Sequence, residues 1–228
     1  MLGLAALVQA LKKAGLDEAV ELEEAPEWIR PRDARERLSQ EIATLSSQQV
    51  KREVLEPARQ EIRSRAIALA RDGYLWGPAT LFNPSESVAA MLVALDCEDY
   101  LLADDNPTGI GSLVETLTPA HMLSVLERVK EVDHEHFDRL WRERKEVIFS
   151  LVDWFVGQGQ TVLADERLKA RLRALPIWPS GEALFPLDDL YVSGKFEDPL
   201  GLASLLDRDM RRNRQDFLRG LGYRWLTI

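Results

Sequence analysis

Residues 175–206, LPIWPSGEALFPLDDLYVSGKFEDPLGLASLL, constrain the fold more than any other stretch of the chain. Two short apolar runs, Ile177-Trp178-Pro179 and Ala183-Leu184-Phe185, flank Ser180-Gly181, the residue order of a tight turn between two strands. Pro179 and Pro186 remove backbone donors, so the pair belongs at an edge or in an irregular ribbon. Asp198-Pro199 then supplies a cap and a first-turn proline for a helix through Leu206. Another helix near Arg212 to Leu221 ends at Gly222, before the strand-like run Tyr223 to Ile228.

Upstream, helical periodicity dominates. Leu4, Leu7, Val8 and Leu11 share one helical face, closed by Gly15. From Asp33 a long helical region carries apolar positions at Leu38, Ile42, Leu45, Val50, Leu55, Ile62, Ala66 and Leu69, kinked at Pro57 and ending at Asp72-Gly73. Asn83-Pro84-Ser85-Glu86 has the cap, proline and acid of a helix start, followed by the apolar SVAAMLVAL. Tyr100-Leu101-Leu102 reads as a short strand and DDNPTGIGS as a turn-rich loop. Thr118-Pro119 begins a further helix, Glu135 to Val156 form another with Phe137, Leu140, Trp141, Ile148, Leu151, Val152 and Phe155 inward, and Asp165 to Ala174 a shorter one. No repeat of fixed period is visible. The expected class is α+β, predominantly α-helical: a helical region over 1–160 and a mixed region over 161–228 with the small β element, packed as one unit.

With 228 residues, 46% of them hydrophobic, the chain can bury a substantial core. No run reaches the roughly 20 apolar residues that span a bilayer, and the N-terminus lacks a secretory pattern, which predicts a cytoplasmic protein with no membrane contact. The net charge of -9 is concentrated: residues 73–118 hold seven acids and no Lys or Arg. Such acidity repels phosphate backbones and disfavours general nucleic-acid binding. One basic cluster runs against the trend, Arg208, Arg211, Arg212, Arg214, Arg219 and Arg224 with Phe217, Tyr223 and Trp225, though Asp207, Asp209 and Asp216 dilute it. Phosphate contacts with base stacking are the chemistry such a mixture offers; pairing with the acidic segment is the more economical use.

Each chemical motif has a structural explanation. Asp104 to Gly111 shares an acid and spaced glycines with the nucleotide pocket of Hsp90-like ATPases, but the upstream helix bearing a magnesium-holding Asn is missing, and no GxxxxGK[ST] occurs. Asp96, Glu98, Asp99, Asp104 and Asp105 are oxygen donors for a hard cation, yet their spacing matches no EF-hand, and a solvated acidic face is the expectation. His134 and His136 lie two apart on a helix start and point in different directions, while His121 reads as a first-turn residue after Thr118. Cys97, the single cysteine, follows an apolar helix and reads as a structural thiol. No catalytic, cofactor or metal residue is assigned.

The order Leu175 to Pro179, Gly181, Phe185 to Leu187, Leu190-Tyr191 and Asp198 to Gly201 resembles segments of very large sacsin-like proteins, which carry an Hsp90-like ATPase domain elsewhere. Phe217-Leu218, Leu221-Gly222-Tyr223 and Leu226 resemble that family's closing helix and strand. The resemblance covers about 50 residues. It implies a non-catalytic scaffold or protein-interaction segment of a chaperone-like multidomain protein, with any ATPase activity outside this chain and no cofactor within it. Neighbouring domains or a client protein are the implied partners, docked through Trp178, Phe185, Phe196, Arg211 and Arg212; oligomeric state is open. The alternatives are a small enzyme or regulatory domain binding a cation or substrate at residues 96–105, and nucleic-acid binding through the arginines of 208–224.

Overall fold

The computed structural model describes residues 4–47, 52–192 and 204–225. The class is α+β and mostly helical, with a few short strands. The chain divides into two compact units, meeting in sequence between Leu117 and Thr118.

In the first unit, α1 (Leu4–Lys13) closes at Gly15, whose φ of 70° is left-handed. Helices α2 (Arg32–Ser47) and α3 (Arg52–Arg63) follow, the latter carrying Pro57 inside it. The expected helix does not continue to Leu69. Ala68–Leu69 are strand β2, paired antiparallel with β3 (Tyr74–Trp76), and β1 (Val20–Glu21) covers β3's other edge. Residues 67–70 are buried throughout, so their apolar run has no amphipathic period to separate helix from strand. The turn is built by Asp72, which accepts from the Tyr74 N–H at 2.9 Å and the Trp76 indole N–H at 3.1 Å. A single 3-10 turn, Pro78–Thr80, leads to Phe82, which bridges in parallel to Leu101 and to Glu115.

Helix α4 (Glu86–Ala94) has Ser85 at its N-cap position, two residues after the expected cap at Asn83. A 3-10 turn, Glu98–Tyr100, precedes Leu101, and the loop after it contains α5 (Thr108–Gly111). Gly109 sits so close to α2 that a Cβ there would collide with the Ser39 hydroxyl oxygen. The core joins Leu11, Leu16, Ile29, Ile62, Ile67, Leu75, Leu81 and Ile110.

The second unit opens with α6 (Pro119–Val132), whose Thr118 side chain caps the His121 N–H. The expected helix of 135–156 is two helices, α7 (His136–Glu143) and α8 (Lys145–Gly157), broken at Arg144 with φ −144° and ψ 61°. The apolar spacing runs on through Arg144, so periodicity does not reveal the break; the seven residues expected inward are all buried. Helix α9 (Gly159–Ala164) leads to α10 (Glu166–Ala174), capped by Asp165 through the Arg167 and Leu168 N–H groups. Strands β4 (Trp178–Ser180) and β5 (Ala183–Phe185) form the expected hairpin, with Gly181 at φ 63°. A 3-10 turn, Leu187–Asp189, leads to β6 (Tyr191–Val192). The Asp198-Pro199 cap lies outside the described residues; at the end of that expected helix, Leu205 bridges in parallel to Tyr191. Two helices, α11 (Arg208–Arg211) and α12 (Gln215–Leu221), precede β7 (Arg224–Trp225), which pairs in parallel with β6. Gly222 ends α12 at φ 86°.

Candidate functional site

The acidic residues of 96–105 separate into two groups. Asp104 and Asp105 stand after the Leu101-Leu102 bridges, where arginines from other elements meet them. Arg35, only 1% exposed, donates to the Arg30 carbonyl at 2.6 Å and to Asp105 Oδ2 at 3.1 Å, while Arg32 lies 3.4 Å from Asp105 Oδ1. Burial pulls the Arg35 guanidinium below its ordinary pKa, and the Asp105 charge works against that shift. Arg71 lies 3.6 Å from Asp104. Asn106 fastens the loop to β2: its carbonyl accepts from the Leu69 N–H at 2.8 Å, and its amide donates to the Leu69 and Ala103 carbonyls at 2.5 and 2.9 Å.

An open cleft of about 530 Å³ lies beside this loop, lined by residues that include Asn83, Ala103, Asp104, Asn106 and Ser112. Its wall offers hydrogen bonds and one solvent-facing carboxylate, Asp104, which is 96% exposed. Asp105, engaged by two arginines, has little capacity left for a cation.

The other acids, Asp96, Glu98 and Asp99, surround Cys97. That thiol is fully buried, donates toward the Leu95 carbonyl at 3.3 Å, and is pushed up to about 12 by burial first and then by the three carboxylates. A thiol so shifted stays protonated at neutral pH and is a poor nucleophile. Among the described residues, no three metal-ligating side chains converge. Asp133 caps the Glu135 N–H and pairs with Arg139 at 2.7 Å, which lowers its pKa; Arg139 also reaches His136 Nδ1 at 3.2 Å. His136 is buried there as part of the helix start.

In the second unit the candidate docking residues have different fates. Trp178 is fully buried, its indole N–H donated to the Leu172 carbonyl at 3.2 Å, so it fills the interior. Phe185 is half-buried on β5, Arg211 half-buried and Arg212 exposed, while Phe196 lies outside the described residues. Two of the six arginines of the cluster are held in ion pairs. Arg214 grips Asp153 with two hydrogen bonds of 2.6 and 2.7 Å and lies over the Phe149 ring at 5.3 Å, and Arg219 pairs with Asp216 at 3.3 Å. Phe217 is buried beside Gly159 and offers no stacking face.

Two arginines escaped the sequence reading. Arg63 donates from Nε to the Leu113 carbonyl at 2.9 Å and pairs with Glu115. Arg173 donates from Nε to Asp188 at 2.8 Å. Their signal was a basic residue in the last turn of a helix before a hairpin. No helix among the described residues is long and apolar enough to cross a membrane. No family model matches the chain, and no curated protein or solved structure is significantly similar to it.

Proposed function

We propose that the chain is a non-catalytic scaffold or protein-interaction segment of a sacsin-like, Hsp90-like ATPase multidomain protein acting in the cytoplasm, with neighbouring domains or a client protein as its partners. The family part of this reading rests on the Leu175–Tyr191 pattern and the Phe217–Leu226 ending. The observation that carries the non-catalytic part is the employment of the reactive groups: Asp105 is held by Arg32 and Arg35, Cys97 is buried and protonated, and Arg214 is held by Asp153. Charged groups fixed to one another are positioned for architecture, and a ligand of Asp105 or Arg214 must compete with a partner already in place.

Half-buried Phe185 and exposed Arg212 supply the apolar and charged parts of a docking face in the second unit. Thermal-shift titrations with calcium, magnesium, Mg-ATP and single-stranded DNA are expected to leave the midpoint unmoved, because a ligand that binds only the folded state raises stability by mass action. A saturable rise with a cation, removed by Asp104→Asn, would overturn this reading in favour of the cleft. The reading frame that encodes the chain is expected to encode an Hsp90-like ATPase domain as well, and a frame without one sinks the family assignment.

A further inference from the structure

The two units repeat one backbone course, feature by feature. In the first, α3 ends at Arg63 and the Ile67 N–H donates to the Arg65 carbonyl at 2.8 Å; in the second, α10 ends at Ala174 and Ile177 donates to Leu175 at 2.9 Å. The hairpins then register Leu69 against Leu75 and Pro179 against Leu184. Each turn holds a left-handed glycine, Gly73 at φ 89° and Gly181 at φ 63°. A 3-10 turn comes next, entered through Gly77 (φ −66°, ψ 131°) or Pro186 (φ −58°, ψ 143°) and left through Leu81 (φ −102°, ψ 155°) or Leu190 (φ −106°, ψ 151°).

The strand after that turn is central to a parallel triplet in both units. Phe82 donates to the Tyr100 carbonyl and accepts from Leu102, lying parallel to Leu101 on one side and Glu115 on the other. Tyr191 donates to the Ser204 carbonyl and accepts from Leu206, lying parallel to Leu205 and to Arg224. The triplet is tied back to the hairpin by the same bond: Ala103 donates to the Leu69 carbonyl at 2.9 Å, and Asp207 to the Pro179 carbonyl at 2.9 Å. Short hairpins recur in many folds, but one register, one following turn and one order of crossing strands together leave few independent ways to coincide.

Side chains repeat where the course needs them. Ile67 and Ile177, Leu75 and Leu184, Leu81 and Leu190, and Leu102 and Leu206 are identical pairs, and all eight are buried. Arg63 and Arg173 form a further pair. Arg63 reaches the Leu113 carbonyl, two residues before Glu115; Arg173 Nη1 lies 3.7 Å from where a Cβ would stand on Gly222, two residues before Arg224. The two guanidinium groups thus arrive at the same bend, but their acids sit at different points of the course. Arg63 pairs with Glu115, whose counterpart is Arg224, and Arg173 pairs with Asp188, whose counterpart is Ala79.

We infer that the chain contains two copies of one structural repeat, helix, hairpin, 3-10 turn and crossing strand, and that Arg63 and Arg173 are its shared positioning residue, tying the helix end to the bend before the last strand. This rests on no functional reading. Positions assigned as equivalent are interchangeable in their contacts, and the displaced acids make that testable.

The test moves the acid, with thermal midpoints measured on the full chain at low ionic strength. Glu115→Gln is expected to lower the midpoint by a few degrees, and adding Ala79→Asp to restore most of the loss, since position 79 then faces Arg63 as Asp188 faces Arg173. Reciprocally, Asp188→Asn lowers the midpoint and Arg224→Glu recovers it. If neither double variant recovers, or if the second substitution has the same effect with and without the first, the equivalence is overturned. A measurement on the unaltered chain guards against variants that do not fold. Amide exchange is expected to be slow at both members of the pairs Ile67 and Ile177, Phe82 and Tyr191, Leu102 and Leu206, and Ala103 and Asp207; fast exchange at one member of two or more pairs overturns the repeat.

Discussion

The hairpins β2–β3 and β4–β5 place the same demand on their outer edge and meet it by different means. In the first unit a strand does the work, with Val20 and Glu21 paired to Leu75 and Tyr74. In the second, helix α7 does it with side chains: Asp138 Oδ1 accepts from the Leu184 N–H at 3.1 Å, and the Trp141 indole N–H donates to the Gly181 carbonyl at 3.1 Å. An exposed edge is a template for unwanted pairing and a buried unsatisfied N–H is costly, so either cover serves. The difference is in vulnerability. A backbone cover survives most single substitutions, whereas a side-chain cover is removed by one.

The largest contrast lies at a single register position. Trp178 on β4 pairs with Phe185 on β5 where Ala68 on β2 pairs with Trp76 on β3, so the tryptophan sits on opposite strands of the two hairpins. Trp178→Ala is expected to cost about 3–5 kcal/mol through the cavity left in the second unit. Urea unfolding measures it, and a loss below about 1 kcal/mol would show that the indole is not packed as described.

Next comes the residue that leads into the 3-10 turn. A Cβ on Gly77 would lie 2.8 Å from the Arg63 carbonyl oxygen and 3.0 Å from Ser64 backbone atoms, which cannot swing aside as a side chain would. The counterpart, Pro186, already carries a Cβ. Gly77→Ala should therefore destabilise by about 1–3 kcal/mol, and Pro186→Ala by less than about 1 kcal/mol, mainly through added freedom of the unfolded chain. Equal effects would break the contrast between Gly77 and Pro186.

Asp138→Ala attacks the side-chain cover directly. It leaves the Leu184 N–H without its acceptor, and since Asp138 is half-buried the expected cost is about 1–2 kcal/mol. Faster amide exchange at Leu184, with no change at Leu75, is the accompanying signature. Unchanged exchange at Leu184 would mean that the edge is sealed without Asp138.

Much of this architecture was legible from the residues. The caps at Thr118 and Asp165, the turn at Ser180-Gly181 and the inward face of Phe137 to Phe155 follow from local chemistry, and local chemistry decides them. What failed depends on tertiary context. Ala66 to Leu69 read as helix because a run buried on every side carries no period. The repeat was invisible because its identities are few, its turn is one residue longer in the first copy, and different lengths of chain separate its crossing strands. The acidic segment was plain, but Arg32, Arg35 and Arg71, which hold Asp104 and Asp105, come from elements far away in sequence. Counting charges located the segment and could not say that Asp105 was already held by Arg32 and Arg35.

The chain between Phe82 and Leu101 is longer than that between Tyr191 and Leu205, and it holds the chain's single cysteine. Burial raises the Cys97 thiol from an ordinary 9.0 to about 12, because the folded environment favours the neutral form, and Asp99, Asp96 and Glu98 add to the effect. The folded state therefore holds this proton more tightly than the unfolded chain. The resulting stability is complete below pH 9 and is lost as the pH rises toward 12. At pH 10 the loss should be about 1 kcal/mol relative to pH 8. Comparison with Cys97→Ala isolates it, since the two proteins differ only at that position. The stability of the unaltered chain minus that of the variant is expected to fall steadily above pH 9, with amide exchange rising first around residues 92–102. A difference that stays flat from pH 8 to 11 would show that the thiol is solvated and that burial does not hold its proton.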